Sequence, residues 1–311
     1  MAGGERNIRV GPAGWSYEDG AGIVYPARRP RGFHEAAYLA EFFDTIELNV
    51  TFYRPVTAAT ARGWLARVAG NPRFLFTAKL WQVLTHERAL TAENVNAVRP
   101  ALEALADAGK LGAVLAQFPW SFKKTEENLA YLEKLVEQFR DLPVVVEVRH
   151  ASWNDRGFYE WLNQRRVGFC NIDQPVIGRS LGPSGRAIPQ SGTGYVRLHG
   201  RNYEEWFRER EDASGGERYN YLYSVAELKP WAERIRQVAE GAEQTFVITN
   251  NHFHGKAVTN ALQLIHLLTG RRVKAPQPLL ARYPELAAIT EPDAGEASLF
   301  PAGTDPQKPR G

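Results

Sequence analysis

The strand-like run 143–150 ends with an acid and a base that point in the same direction. Three consecutive valines form its centre, which is typical of a strand buried on both faces. Glu147 and Arg149 are two residues apart, so they share one face, opposite Val146 and Val148. A buried strand with this ending either holds an ion pair or contributes to a functional site.

The same arrangement recurs at the ends of other apolar runs. Alternation along each run places polar or ionisable side chains opposite its apolar residues, on the face that we expect to point inward. They are Glu47, Asn49, Lys79, Gln117, Glu147, Arg149, Asn171, Asp173, Arg197 and His199. In the last run the alternation does not decide which side chains point inward, so Asn250, Asn251 and His252 are all candidates.

A ligand or catalytic pocket explains this inward-facing set better than salt bridges that only close the fold. For a single strand the salt bridge is the commoner explanation, and Glu147 has Arg149 or Arg197 as possible partners. Salt bridges that only hold the strands together do not require a histidine, asparagines and a glutamine at the same level. Buried charges without partners cost several kcal/mol each, so the set must pair internally or bind a ligand.

Acid/base chemistry is the reaction type that these residues favour. Two carboxylates in unlike surroundings hold different protonation states, so Glu147 forms a candidate pair with Glu47 or Asp173. His199 is a second candidate for proton transfer. The candidate substrate-binding residues are Trp15, Asn49, Lys79, Gln117, Arg149, Arg197, Asn250, Asn251 and His252.

Cations and a helix start indicate an anionic ligand. Lys79, Arg149 and Arg197 would hold a phosphate or carboxylate and stabilise developing charge. The run 250–254 precedes a helical segment, and helix N-termini favour anions. After the first run, Trp15 and Tyr17 are candidates for a stacking wall.

A divalent metal is the alternative, although we predict no cofactor. The residue types that hold Zn²⁺ or Mn²⁺ in open sites are present in Glu47, Glu147, Asp173, His199 and His252. No HExxH-like motif accompanies them, and nearby lysine and arginine disfavour a cation. The other histidines, His34, His86 and His266, have ordinary contexts and are expected to be surface or packing groups.

The elements that would position these side chains alternate along the chain. The strand-like runs are 8–14, 44–50, 73–79, 112–118, 143–149, 167–173, 194–199 and 244–250. The segments with helical spacing are 33–43, 58–69, 95–108, 126–139, 158–164, 225–238 and 255–268. Eight strands alternating with helices predict an α/β fold of the (β/α)8 TIM type, with an open doubly wound sheet as the alternative.

Composition sets the remaining bounds. The chain has 311 residues with a net charge of +3, too small by itself to indicate nucleic acid. The single cysteine, Cys170, excludes an internal disulfide and fits a cytoplasmic location. We expect no signal peptide at Met1–Arg9 and no membrane span. One barrel domain is predicted over residues 1–275, followed by a largely irregular extension over 276–311 that ends in a mobile tail.

Several motifs resemble those of the YecE-like family, a domain of unknown function with the number seventy-two. They are Gly11–Tyr17, Glu47–Asn49 with Thr51–Tyr53, Phe76–Lys79, Gln117–Pro119, Val146–His150, Tyr195–Gly200 and Asn250–His252. The resemblance covers about residues 8–270 and implies a TIM-type barrel. It implies no reaction, because the family has no settled activity.

We therefore predict a barrel enzyme that acts on a small anionic, sugar- or nucleotide-like molecule by acid/base chemistry. One alternative is a metal-dependent phosphodiesterase or nuclease of the endonuclease IV type. A second alternative is a non-catalytic ligand-binding or interaction module. The hydrolase, lyase or isomerase class and the oligomeric state do not follow from the sequence.

Overall fold

Eight parallel strands form a nearly closed barrel, as the alternation predicts. The computed structural model describes residues 7–203 and 219–292. The strands are β1 Ile8–Pro12, β2 Thr45–Leu48, β3 Leu75–Lys79, β4 Leu111–Gln117, β5 Val144–Glu147, β6 Gly168–Asp173, β7 Thr193–Leu198 and β8 Gln244–Thr249. Each pairs in parallel with its neighbour in the order β1-β8-β7-β6-β5-β4-β3-β2. The seam between β1 and β2 is bridged by Ala13 and Glu47, where the Gly14 N–H donates to the Glu47 carbonyl at 2.8 Å.

Helices follow most strands and cover the outside of the barrel. They are α1 Glu35–Leu39, α2 Val50–Tyr53, α3 Ala58–Val68, α4 Gln82–Thr85, α5 Ala92–Asp107, α6 Glu126–Gln138, α7 Arg156–Gln164, α8 Val225–Glu240, α9 Lys256–Thr269 and α10 Gln277–Arg282. Thr57, Thr91 and Thr125 cap α3, α5 and α6 by accepting a backbone N–H. Among the described residues, no helix has the length and apolar character to cross a membrane. All seven predicted helical segments are confirmed.

The segment that follows the barrel is more regular than predicted. Residues 276–292 hold α10 and a 3-10 helix, Pro284–Ala288, in place of the irregular chain expected for 276–311. Leu279 and Leu286 are fully buried against the barrel core. Burial of these apolar side chains explains why the segment is helical despite its proline-rich composition. The predicted mobile tail falls on residues 293–311, which lie outside the described residues.

A bulge in β4 shapes the amino-terminal half of the barrel interior. Phe76 and Thr77 pair with Leu111 and Ala113, so Gly112 is the extra residue. A Cβ on Gly112 would lie 2.2 Å from the Phe246 ring of β8. Glycine is therefore required here for close packing across the barrel.

Replacing Gly112 with alanine should lower the free energy of unfolding by about 1–3 kcal/mol, since the added methyl overpacks a buried aromatic ring. Urea denaturation measures this loss. The matched control is Gly63→Ala in α3, where the added Cβ meets nothing within 4 Å. That change should raise the free energy of unfolding by roughly 0.5–1 kcal/mol. Equal free energies of unfolding for the two variants would show that the Phe246 ring moves to accommodate the methyl group without a loss of stability.

Candidate functional site

A buried arginine joins carboxylates from two other strands near the carboxyl ends of the strands. Arg197 of β7 is 1% exposed. Its Nη2 lies 2.7 Å from Glu47 Oε1 of β2, and its Nη1 lies 2.6 Å from Glu147 Oε2 of β5. Both carboxylates are completely buried. We call Arg197, Glu47, Glu147 and Arg149 the central charge network.

Glu147 is the most heavily engaged member of the central charge network. Its Oε1 accepts from Arg149 Nε at 3.0 Å and from Nη2 at 2.8 Å. The same oxygen lies 3.3 Å from His199 Nε2. Burial alone would raise the pKa of this carboxyl, but the positive charges of Arg197 and Arg149 outweigh it and hold the pKa well below the usual range. Glu147 is therefore a fixed anion at neutral pH.

Glu47 has a second partner below Arg197. The Tyr195 hydroxyl donates to Glu47 Oε2 at 2.9 Å and lies 2.8 Å from Thr77 Oγ1. Burial raises the pKa of Tyr195 well above its ordinary value, so its hydroxyl stays protonated. Both oxygens of Glu47 are thus occupied by donors from β7.

His199 is neutral and held at both ring nitrogens. Asn250 Nδ2 lies 3.0 Å from His199 Nδ1, which makes Nδ1 the acceptor and leaves Nε2 to donate to Glu147. Burial, with the charge of Arg197, lowers the His199 pKa to about 3. Asn250 therefore joins this site through His199.

Lys79, at the carboxyl end of β3, is a buried cation with no carboxylate partner in the described part of the chain. It is 9% exposed, and its Nζ lies 4.0 Å from the centre of the Phe52 ring in α2. Among the described residues, no carboxylate oxygen lies within ion-pairing distance of Nζ. Burial and the charge of Arg197 lower the Lys79 pKa to about 7, although Glu47 and Glu147 oppose this.

His86 lies beside Lys79, which the sequence did not indicate. Its ring meets the Phe52 ring edge-on at 5.1 Å. Burial, then the charges of Lys79 and Arg149, lower the His86 pKa to about 4. The prediction that His86 is an ordinary packing group missed this position, because a residue in the loop after α4 follows no alternation.

Tyr17, Asn49 and His252 form a cluster after the carboxyl ends of β1, β2 and β8, and we call it the aromatic wall. The Tyr17 and His252 rings stack at 4.0 Å, and Asn49 Nδ2 donates to the Tyr17 hydroxyl at 3.1 Å. Asn49 Oδ1 and His252 Nδ1 are buried without a hydrogen-bond partner among the described residues. Burial lowers the His252 pKa to about 4, so the ring is neutral. We call Lys79, Asn49 and His252 the rim group.

Trp15 does not belong to this wall, contrary to the prediction. Its ring packs edge-to-face on Trp64 of α3 at 5.6 Å and lies 6.4 Å from Phe76. Trp15 therefore packs toward the helix layer. Tyr17, two residues later, supplies the aromatic wall. The conformation of the loop determines which of Trp15 and Tyr17 faces the site.

The prediction that Asn171 and Asp173 face the barrel interior is wrong. Strand pairing aligns them with Val196 and Leu198, on the outer face of β7. Cys170 takes the inner position, with Sγ 3.8 Å from Glu147 Oε2. Asp173 instead binds Arg201, whose Nε lies 2.9 Å from Oδ2. Asp173 thus lies outside the central charge network.

Asn171 and Asn251 have structural partners away from the interior. Asn171 Oδ1 accepts from the Arg186 N–H at 2.8 Å, which fixes the long loop after β6. Asn251 Nδ2 donates to the Tyr221 carbonyl and to Asn260 Oδ1 of α9, both at 2.8 Å. Gln117 pairs in register with Glu147 and shares its inward face, as predicted.

The carboxylates and histidines do not assemble into a metal-binding group in the described part of the chain. No three His, Cys, Asp or Glu side chains of residues 7–203 and 219–292 are grouped so that they could hold an ion. Glu47 and Glu147 are occupied by arginine, and Asp173 lies on the other face of its strand. The donor set proposed for a divalent metal is therefore divided.

The resemblance seen in the motifs is confirmed by comparison with known proteins. The family model described as "Protein of unknown function DUF72" matches residues 9–282. The chain belongs to the DUF72 family. All members of the central charge network and of the rim group lie within the matched residues, so they belong to the DUF72 part of the chain.

Relatives of this DUF72 protein match most of its length, and the solved structures among them share its fold. UPF0759 protein YunF of Bacillus subtilis is 29% identical over 272 residues, covering 84% of this chain and 94% of the relative. A DUF72 crystal structure from Thermotoga maritima is 32% identical, with a TM-score of 0.72, covering 84% of this chain and 99% of that one. A DUF72 structure from Enterococcus faecalis, at 23% identity, has the same TM-score of 0.72, covering 87% and 98%. These structures confirm the fold.

Replacing Lys79 with methionine should stabilise this DUF72 protein at low pH. Below about pH 7 the lysine is charged in both states, and its burial costs up to roughly 5 kcal/mol, from a pKa lowered from 10.5 to about 7. Between these values the unfolded chain binds more protons, so wild-type stability rises with pH. The advantage of Lys79→Met should therefore be largest at pH 6 and shrink toward pH 10.

Thermal unfolding across this pH range measures the difference. The control is Lys123→Met, because Lys123 is exposed and lies over the Trp120 ring at 5.7 Å. That variant should follow the wild type within about 0.5 kcal/mol. A stability difference for Lys79→Met that does not change with pH would contradict the buried-cation assignment.

Proposed function

We propose that this chain is an enzyme that acts on a small anionic molecule at the carboxyl ends of the barrel strands, with Lys79 as the proton-transfer group. One observation supports the proposal above the others: Lys79 is a buried cation with a pKa of about 7 and no carboxylate partner among the described residues. A general acid or base works best when its pKa is close to the working pH. Barrel enzymes place their catalytic groups at this end of the strands.

In this proposal the central charge network supports the chemistry without transferring the proton. Glu147 has several donors and a pKa well below the usual range, so it is a poor base. Its charge and that of Glu47 instead act on Lys79, against the charges of Arg197 and Arg149. Lys79 thus takes the role that the sequence suggested for Glu147 with Glu47 or Asp173.

Charge and hydrogen-bonding capacity favour an anionic ligand at the rim group. Two arginines balance two carboxylates in the central charge network, which leaves the Lys79 ammonium for the ligand. A bound phosphate or carboxylate would favour the charged form of Lys79. In this proposal the same ligand would bond Asn49 Oδ1 and His252 Nδ1, which are both buried and unpartnered within the described residues.

A thermal-shift screen with phosphorylated sugars, nucleotides and small carboxylates tests this proposal. A ligand at 100 times its Kd should stabilise the wild type by about 2.7 kcal/mol. The stabilisation should decline above pH 7, because the Lys79 ammonium is lost there. Lys79→Met should lose the response, and Lys123→Met should keep it. No response from the wild type, or an equal response from Lys79→Met, would refute the proposal.

Glu147→Gln separates the two roles that a carboxylate could have. If Glu147 only shapes the field, its neutral replacement removes a negative charge near Lys79 and lowers the Lys79 pKa further. The acidic limb of the pH profile of kcat, measured with a substrate from the screen, should then move to lower pH while turnover persists. Complete loss of turnover in a folded Glu147→Gln protein would instead return the proton-transfer role to Glu147.

A further inference from the structure

We infer that Lys79 is a nucleophile whose Nζ forms a Schiff base with an aldehyde or ketone that carries a carboxylate or phosphate group. This inference rests on the proposed function, in which Lys79 acts on a small anionic substrate; it adds the substrate class and assigns the Lys79 amine a covalent role in place of simple proton transfer. Lys79 is suited to the role by its position, by the charges around it and by having no carboxylate partner within residues 7–203 and 219–292.

The strand end holds the Lys79 backbone firmly. The Leu80 N–H donates to the Leu115 carbonyl at 2.9 Å, and Thr51 Oγ1 donates to the Lys79 carbonyl at 2.7 Å. The side chain then extends over Phe52, with Nζ 4.0 Å from the ring centre. A nucleophile held in this way meets a bound carbonyl with little loss of conformational freedom.

The surroundings of Lys79 favour the neutral amine, which is the form that can attack a carbonyl. A lysine that is paired with a carboxylate stays protonated, and within the described residues Lys79 has no such pair. The charged groups that act on it are Arg197 and Arg149, which favour the neutral amine, and Glu47 and Glu147, which oppose this. The neighbouring His86 ring is neutral at pH 7.

The balance of these effects decides how much free amine is present. With a pKa of about 7, half of the Lys79 side chains are neutral at pH 7. A lysine at the ordinary value of 10.5 would have only about one neutral side chain in 3,000. Burial next to another cation is a recognised way of activating a lysine for covalent catalysis.

The reaction balances without an oxidant or reductant. The Nζ lone pair attacks the carbonyl carbon, the new C–N bond forms, and the π electrons of the carbonyl move to oxygen. One amine proton and one proton from solvent then leave with that oxygen as water, which gives a protonated imine. The C–O bond breaks as water leaves, and the nitrogen lone pair forms the C=N bond. The imine carries the single positive charge that the solvent proton brought, and the carboxylate or phosphate of the substrate balances it.

The rim group supplies contacts for the rest of such a substrate. Asn49 Oδ1 and His252 Nδ1 are buried polar atoms without partners in the described part of the chain. Buried polar atoms in this state bond either to an ordered water or to a ligand. A hydroxyl or carboxylate next to the reacting carbonyl would provide such a partner.

Borohydride trapping tests the inference directly. Wild-type protein is incubated at pH 7 with glyoxylate, pyruvate or glycolaldehyde phosphate, reduced, and analysed by peptide mass spectrometry. One of these carbonyls should give an adduct on Lys79 at least tenfold more abundant than on Lys123. The adduct should be lost in Lys79→Met and kept in Lys123→Met. Adducts spread evenly over the lysines would overturn the inference.

Matched compounds without a carbonyl separate this inference from the proposed function. Glycolate, lactate and ethylene glycol phosphate have the same anionic groups but cannot form an imine. If they stabilise the wild type and not Lys79→Met, while no carbonyl is trapped on Lys79, the nucleophile is refuted and anion binding stands. If none of the anions stabilises the wild type, the proposed function is refuted.

Reductive methylation with formaldehyde and cyanoborohydride gives a readout that requires no substrate. Labelling of Lys79 should rise with pH around a midpoint of about 7, because only the neutral amine reacts. A midpoint near 10 in a folded protein would overturn the inference. Folding of Lys79→Met is checked by its thermal transition.

Discussion

The interior of this barrel depends on the Arg197 guanidinium between Glu47 and Glu147. The three residues come from β7, β2 and β5, so their ion pairs connect strands from separate parts of the barrel wall. With both carboxylates completely buried, removal of the arginine would leave Glu47 with no cationic partner among the described residues and Glu147 with Arg149 alone, which is costly in a low-dielectric interior. Tyr195 extends the same network toward the amino-terminal half, where the Phe246 ring and Gly112 close the interior by apolar packing.

Stability alone does not explain why this network is ionic. Apolar residues of similar volume usually fill a buried site equally well, because desolvation offsets most of the attraction between buried charges. The distribution of hydrogen bonds indicates another role. Donors occupy both oxygens of Glu47 and of Glu147, and both ring nitrogens of His199 are engaged. Asn49 Oδ1 and His252 Nδ1 of the rim group have no hydrogen-bond partner among the described residues. We therefore assign the paired carboxylates to the field at Lys79 and the two rim atoms to a ligand.

Sequence alternation predicted the strands well and the orientation of side chains unevenly. All eight strand-like runs form strands, and the inward faces of β2, β5 and β7 are those predicted, since each run pairs apolar with polar positions. In β6 the polar residues lie on the outer face, where Asp173 pairs with Arg201 and Asn171 binds the loop after the strand, and Cys170 points inward instead. For loop residues the sequence offered candidates such as Tyr17 beside Trp15, but it did not show which of them reach the site. Tyr17 and His86 reach the site through turns whose geometry depends on tertiary contacts.

The segment after the barrel contributes to the same site through the loop that carries His252. His254 has a φ of 50°, a left-handed conformation that is unfavourable for a residue with a side chain. Tertiary contacts hold it there. Its N–H donates to Asp19, and its carbonyl accepts from the Tyr283 hydroxyl at 2.7 Å. Leu279 packs beneath the following glycine, within 3.1 Å of the position a Cβ would take. The helical turns of residues 276–292 therefore act as a brace: they fix a strained loop, and the loop holds the His252 ring against the wall of the site.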